Sequence, residues 1–221
     1  MNIMDIIGPV MVGPSSSHTA GAVKIGQISR KLLAEPVQQA EICFHGSFLA
    51  TGKGHGTDRA LVAGLLGLAV DDENIPISFA IAAERNLTFS IHGIDLGDAH
   101  PNTVKMKLTG ESGRTLEIVA ASIGGGQIRI CEIDGLTANF CGEYPTLIVH
   151  NLDQPGHVTE VTSMLAHKSV NIATMQLYRD SRGGNAVMVI ECDQEVPQEA
   201  IRWLEHLEGI EKVTYLSLEE S

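Results

Sequence analysis

Between Gly13 and Gly21 the chain sets three serines, a histidine and a threonine in a row, Ser15-Ser16-Ser17-His18-Thr19, directly ahead of a helical period. Ala22, Ile25, Ile28, Ser29 and Leu32 recur at three- and four-residue spacing, the apolar stripe of an amphipathic helix. The run therefore marks a helix start, where unpaired backbone N–H groups and the positive dipole end attract an anion. Capping needs one hydroxyl, and Ser16 or Ser17 is placed to supply it. Three serines, a threonine and an imidazole exceed that need, which favours a ligand loop.

A second stretch repeats this chemistry. Phe44-His45-Gly46-Ser47-Phe48-Leu49-Ala50-Thr51-Gly52-Lys53-Gly54-His55-Gly56-Thr57-Asp58 follows the alternation Ala40, Ile42, Phe44. That alternation predicts a half-buried strand running into a polar, glycine-spaced loop. Ala60, Leu61, Gly64, Leu65 and Leu68 then predict a helix, with Thr57 or Asp58 as its N-cap. Glycines on both sides of His55 let the backbone approach a ligand, and Lys53 offers charge to a carboxylate or phosphate. The Gly-Lys-[Ser/Thr] order of a P-loop is absent, and Gly52-Lys53-Gly54 lacks the third glycine of a dinucleotide fingerprint. Two such stretches, each opening a helix, predict a shared polar pocket.

With 221 residues the chain has room for two domains. A net charge of −12 and the lack of any Lys/Arg cluster exclude a nucleic-acid surface. The longest apolar stretch, Ala60 to Val70, is interrupted by Gly64 and Gly67 and is too short to span a membrane. The N-terminus lacks the charged-then-apolar layout of a signal peptide, so a soluble cytoplasmic protein is expected. Cys43, Cys131, Cys141 and Cys192 show none of the short spacings that hold an iron–sulfur cluster. Disulfides are not expected, nor is a metal site of the chain's own, and Cys43, Cys131 and Cys192 read as small core residues.

From Asn86 to Phe140 the pattern is β-rich. Leu87–His92, Val104–Leu108 and Leu116–Ala120 alternate between turns, and Gly124-Gly125-Gly126 reads as a hairpin loop. His100-Pro101-Asn102-Thr103 is a turn that offers Asn102 and Thr103 as candidate ligand contacts. A boundary falls near Glu143-Tyr144-Pro145. Beyond it come a strand (146–150), a turn (151–156), a helix (158–168), two strands (171–178, 185–192), a helix (197–207) and a last strand (213–218). That order, βαββαβ, is ferredoxin-like.

This order, with Asp153-Gln154-Pro155-Gly156 between strand and helix, resembles an ACT domain from Pro145 to the end. The resemblance implies amino-acid binding at a pairwise interface, with Asn151, Asp153 and Gly156 as effector contacts, and self-association through this domain. The motifs Gly13-Pro14-Ser15-Ser16-Ser17-His18-Thr19, Gly46-Ser47 and Thr51-Gly52-Lys53-Gly54-His55-Gly56-Thr57-Asp58 resemble the β subunits of bacterial iron–sulfur L-serine dehydratases in their two-subunit form. This second resemblance extends over essentially the whole chain. The expected fold class is accordingly α+β. Residues 1–144 form an α/β serine dehydratase β domain, similar to the allosteric-substrate-binding domain of some D-3-phosphoglycerate dehydrogenases, and residues 145–221 form the ACT domain.

What the resemblance implies is conversion of L-serine to pyruvate and ammonia by a complex with an α subunit. That partner is expected to ligate the [4Fe-4S] cluster, which serves as Lewis acid. By motif match, His18 and His55 are the catalytic acid/base candidates. Ser15, Ser16, Ser17 and Thr19 are expected on the substrate carboxylate, with Ser47, Lys53 and Thr57 as further substrate contacts. L-serine is expected as substrate and as effector. The rival reading is a non-catalytic module that senses serine or an anion. An independent Ser–His hydrolase lacks both a Gly-x-Ser-x-Gly elbow and a third orienting group.

Overall fold

The computed structural model describes residues 11–13 and 15–218; Pro14 of the first motif and the N-terminal residues read for a leader lie outside this set. The chain divides into two compact units, with the break between Asp134 and Gly135. In the first, a π turn at Ser16–Ala20 runs into α1 (Gly21–Leu33), and β1 (Val37–Phe44) follows. Next come α2 (Gly46–His55), α3 (Thr57–Leu65), a 3-10 turn at Ile75–Ile77, and α4 (Ser78–Glu84). Strands β2 (Thr88–Gly93), β3 (Thr103–Gly110), β4 (Thr115–Gly124) and β5 (Gln127–Ile133) complete this unit.

These strands lie in the order β2-β1-β3-β4-β5. Only β1 and β2 pair in parallel; the other pairs are antiparallel. A parallel pair needs a long crossover, and α2, α3 and α4 are that crossover. Phe44, Val104 and Ala120 stand in one cross-strand row and Ile42, Met106 and Ile118 in the next, all buried. Ala22, Ile25 and Leu32 of α1 are buried as the period predicts, with Ile28 at the margin of the stripe.

Helices α1 and α3 meet backbone to backbone. A Cβ on Gly26 would lie 2.4 Å from the Leu61 carbonyl oxygen, and one on Gly64 would lie 2.1 Å from that of Val23. A mid-helix glycine costs about 1 kcal/mol of helix propensity. At this crossing it permits a contact that no side chain fits.

The structure departs from two local expectations. Residues 46–55 are a helix rather than a loop. Its first turn is held from outside, because the Pro101 carbonyl accepts from the N–H groups of Ser47 (2.7 Å) and Phe48 (3.4 Å). Buried Phe48 anchors it, and Gly56 at φ +67° ends it in the left-handed conformation that glycine favours. Gly56, not Thr57 or Asp58, is therefore the N-cap of α3. Thr57 is fully buried, and the Asp58 carboxylate accepts from the N–H of Arg59 at 2.8 Å.

The second unit opens with β6 (Leu136–Phe140). There follow β7 (Thr146–Leu152), α5 (His157–His167), β8 (Ile172–Arg179), β9 (Asn185–Cys192), α6 (Gln198–Glu205) and β10 (Ile210–Leu216). From β7 onward the order is βαββαβ, as the sequence predicts. Its sheet runs β10-β7-β9-β8, antiparallel throughout. Leu147, Val149, Met188 and Ile190 pack with Val161, Leu165, Ile201 and Leu204 of the two helices. Of the cysteines read as core, Cys192 is fully buried, whereas Cys43 and Cys131 are only partly so. Among the described residues no helix is long and apolar enough to cross a membrane.

Candidate active site

The first motif folds as a helix end of unusual width. Ser15 is extended (φ −141°, ψ 123°), and its Oγ accepts from the N–H of His18 at 3.1 Å. The cap therefore falls on Ser15, not on Ser16 or Ser17. The N–H of Gly21 reaches five residues back to the Ser16 carbonyl, the spacing of a π turn. Such widened turns are frequent at functional sites. This one carries the His18 ring to α2.

His18 sits in a cage of hydroxyls. Its Nε2 lies 3.0 Å from Thr51 Oγ1 and 3.3 Å from Ser47 Oγ, and its Nδ1 lies 3.3 Å from Ser17 Oγ. Thr51 donates its own proton to the Ser47 carbonyl at 2.9 Å, so its oxygen is left to accept. The ring proton of His18 is therefore assigned to Nε2, and Nδ1 accepts from Ser17. Ser15 Oγ stands 3.4 Å from Ser17 Oγ and extends the chain. Burial holds the pKa of His18 below its ordinary 6.5, and the charge of His55 depresses it further, against a backbone hydrogen bond with Ser47 that raises it.

His55 is the second ring, its centroid 4.9 Å from that of His18 at a 45° tilt. Its Nδ1 lies 3.1 Å from the Thr51 carbonyl, which can only accept, so Nδ1 carries the proton. Its Nε2 then bears a lone pair, and no described side chain is bonded to it. Thr19, almost fully buried, donates to the His55 carbonyl at 3.5 Å and ties the two motifs together. Ser47, Thr51 and His55 share one stripe of α2 at four-residue spacing. Thr51, absent from the sequence-predicted set, is the residue that joins both rings; the stripe that reveals it exists only once 46–55 is helical.

Other predicted residues stand elsewhere. Ser16 is half-buried in the π turn. Lys53 lines a cavity with Phe48, Asp58 and His92, apart from the Ser47–Thr51–His55 stripe. The hydroxyl of Thr57 is buried without a hydrogen-bond partner among the described residues, beside Gly52. Thr103 donates to the His100 carbonyl at 2.6 Å, and the N–H of Asn102 donates to the His100 ring at 3.1 Å, so both serve the turn. In the second unit, Asn151 is buried and its amide donates to the Leu152 carbonyl at 2.6 Å. The Asp153 carboxylate accepts from the Gly183 N–H (3.0 Å) and from Arg179 (2.9 Å). Gly156 is exposed at the start of α5, which has no side-chain cap.

Burial pushes all four cysteines up, Cys192 to about 11, so they stay protonated at neutral pH. Among the described residues no three His, Cys, Asp or Glu side chains converge in a metal-holding group. Among the described residues the four thiols offer no set that fits an iron–sulfur cluster.

The model of the family "Serine dehydratase beta chain" matches residues 2–89, which hold both histidines. The chain is 39% identical over 216 residues to the probable L-serine dehydratase, beta chain, of Bacillus subtilis (strain 168), covering 98% of each. It is 38% identical over 195 residues to the L-serine dehydratase, beta chain, of Peptoniphilus asaccharolyticus, covering 88% of each. A D-3-phosphoglycerate dehydrogenase of Bacillus subtilis is 29% identical over 201 residues, 89% of this chain and 37% of that one. With two relatives of matching length and the family model lying over the paired histidines, the chain belongs to the serine dehydratase beta chain family.

Proposed function

We propose that the chain is the β subunit of a cytoplasmic L-serine dehydratase and contributes the general base to a shared active site. The observation that carries this reading is the pair of rings with opposite assignments. His18 has both nitrogens engaged by hydroxyls, whereas His55 is fixed as the Nδ1–H tautomer with Nε2 open. An imidazole held in one tautomer with its other nitrogen open is suited to accept a proton from a substrate placed against it. His55 removes the α-proton of L-serine at Nε2; the C–H electron pair forms the Cα=Cβ bond as the Cβ–O bond breaks, and the departing hydroxyl takes that same proton back from His55 and leaves as water, so the ring returns neutral. The enamine tautomerises to an imine, whose hydrolysis returns that water and yields pyruvate and ammonia.

His18 acts on His55 and on substrate position. Its lowered pKa keeps it neutral, so no second positive charge opposes protonation of His55. Ser15 and Ser17 hold His18 from its Nδ1 side and its backbone, and Ser47, whose hydroxyl stands at the Nε2 side of the same ring, is the one we assign to the substrate carboxylate. The [4Fe-4S] cluster implied by the family is assigned to the partner α subunit, since this chain's thiols form no convergent group among the described residues; when bound it would supply a Lewis acid to the leaving hydroxyl. We take 1–144 as the serine dehydratase β domain and 145–221, β7 onward, as an ACT domain that self-associates. There the uncapped start of α5 and Gly156 favour effector contact through the backbone, because the Asp153 carboxylate is already held.

The test is anaerobic co-expression with the α chain, followed by assay of L-serine to pyruvate with iron analysis. Turnover is expected in the pair, with iron in the pair and neither iron nor turnover in this chain by itself. A lone chain that binds serine yet joins no α chain would overturn the catalytic reading in favour of the sensor.

A further inference from the structure

We infer that the first unit has a second small-molecule site, behind α2, that takes a zwitterionic amino acid with an apolar side chain and communicates with His18. A cavity of about 280 Å³ lies among α2, β1 and β2. Small-molecule pockets usually run from about 300 to 1,000 Å³, so its occupant is of amino-acid size. Phe44, Leu49 and Ile91 supply an apolar lining, and Lys53, Asp58 and His92 supply the polar groups. Lys53 and Asp58 flank the turn at Gly56, yet neither takes part in an ion pair among the described residues. A cation and an anion unpaired in one cavity match a ligand that brings a carboxylate and an ammonium together. The lining then selects an apolar side chain over a hydroxymethyl group, which would leave half-exposed Leu49 and partly buried Ile91 uncovered.

Helix α2 is the wall between this cavity and the histidines. Its Leu49, Gly52 and Lys53 line the cavity, while Ser47, Thr51 and His55 surround His18. Phe48 belongs to both sides. It lines the cavity, and its ring meets the His18 ring edge-on at 5.3 Å between centroids. Phe44 backs it at 5.8 Å in a T-shaped contact. Packed interiors transmit displacement rather than absorb it, so an occupant that moves Phe48 alters the surroundings of His18. The site stands whether or not the chain is a dehydratase subunit.

The experiment titrates the full-length, histidine-labelled chain with L-leucine and follows the His18 ring by NMR, assigned by its loss in His18→Gln, with calorimetry in parallel. Isovalerate and isoamylamine each remove one ligand charge, and L-serine removes the apolar side chain. Leucine is expected to bind saturably and to shift the His18 resonance, at least about tenfold tighter than all three comparators. Lys53→Gln and Asp58→Asn are each expected to weaken it by about tenfold. Phe48→Leu keeps leucine binding and loses the His18 shift. Half-exposed Leu49→Ser, which spares the buried core, weakens leucine more than serine. His55→Asn leaves leucine binding unchanged, so failure of the dehydratase reading is separable from failure of this one. No saturable binding at millimolar leucine, equal affinity for isovalerate, or indifference to the Lys53 and Asp58 replacements overturns the site. A full His18 shift in Phe48→Leu overturns the coupling.

Discussion

The Ser15–Thr19 turn of the first unit and the Asn151–Gly156 turn of the second both bring small polar side chains to a helix start, and they leave them in different states. In the second, Asp153 is closed on Arg179 and the Gly183 N–H, and Asn151 on the next carbonyl. Those groups hold the β8–β9 hairpin and the strand end. In the first, Ser15, Ser17 and Thr51 are arranged around one ring, and the neighbouring ring keeps a free lone pair. Similar residue types are structural where their bonding is completed within the chain and chemical where the chain completes all but one of the bonds.

The largest expected break in that contrast is His55→Asn in the α–β complex. Loss of a general base lowers turnover by about 10²- to 10⁴-fold, while size-exclusion chromatography still shows the complex. Near-normal turnover removes His55 from the proton step. Gly64→Ala comes next. Its Cβ meets a carbonyl oxygen at 2.1 Å, and overpacking of this kind costs about 1–3 kcal/mol. Hydrogen exchange is expected to show the first unit opening more readily and the second unchanged.

Thr51→Val deprives His18 Nε2–H of its nearest acceptor, a loss of about 1 kcal/mol, or about fivefold in turnover. Thr51→Ser restores it, and ¹⁵N shifts report the His18 tautomer. The ionisation of His18 adds a pH dependence. Its folded pKa lies below the unfolded 6.5, so the unfolded chain binds the proton more tightly. The contribution to stability is full above 6.5 and lost as pH falls through the lowered folded value. Thermal melts of His18→Gln are expected to show a shallower acid limb.

Asp153→Asn is the mildest, since its ion pair is exposed and screened. The Gly183 N–H and then Arg179 hold the Asp153 carboxyl below its ordinary pKa of 3.8. Its contribution is thus present above that value and lost as pH falls through the folded one. The variant is expected to melt slightly lower at neutral pH and to match the parent in acid. A drop in turnover with no change in melting would place Asp153 on the functional side of the comparison.

The sequence carried the strands and the whole βαββαβ order, because alternation and turn residues are local signals. Ala40, Ile42 and Phe44 point inward as read, and the α1 stripe is where its period puts it. Helix α2 was illegible for a physical reason. Gly46, Gly52 and Gly54 depress local propensity, and the groups that fix its start are the Pro101 carbonyl and the Phe48 pocket, both supplied by tertiary structure. With that helix hidden, its stripe was hidden too, so His18 and His55 could be proposed from residue type while Thr51 could not. The Ser15 cap was missed likewise, since a π turn displaces the cap from where an α-helical reading sets it.

The π turn also limits how a gene for such a chain can change. Residues Ser16–Ala20 carry one more residue per turn than the α1 helix they feed. Removing Thr19 or Ala20, which lie between His18 and α1, would let the turn relax to α geometry and swing His18 about 100° around the axis, away from Thr51. Substitutions in this run alter one contact at a time, whereas a single-codon deletion dismantles the whole arrangement at once. The segment is therefore more tolerant of a change in spelling than of a change in length.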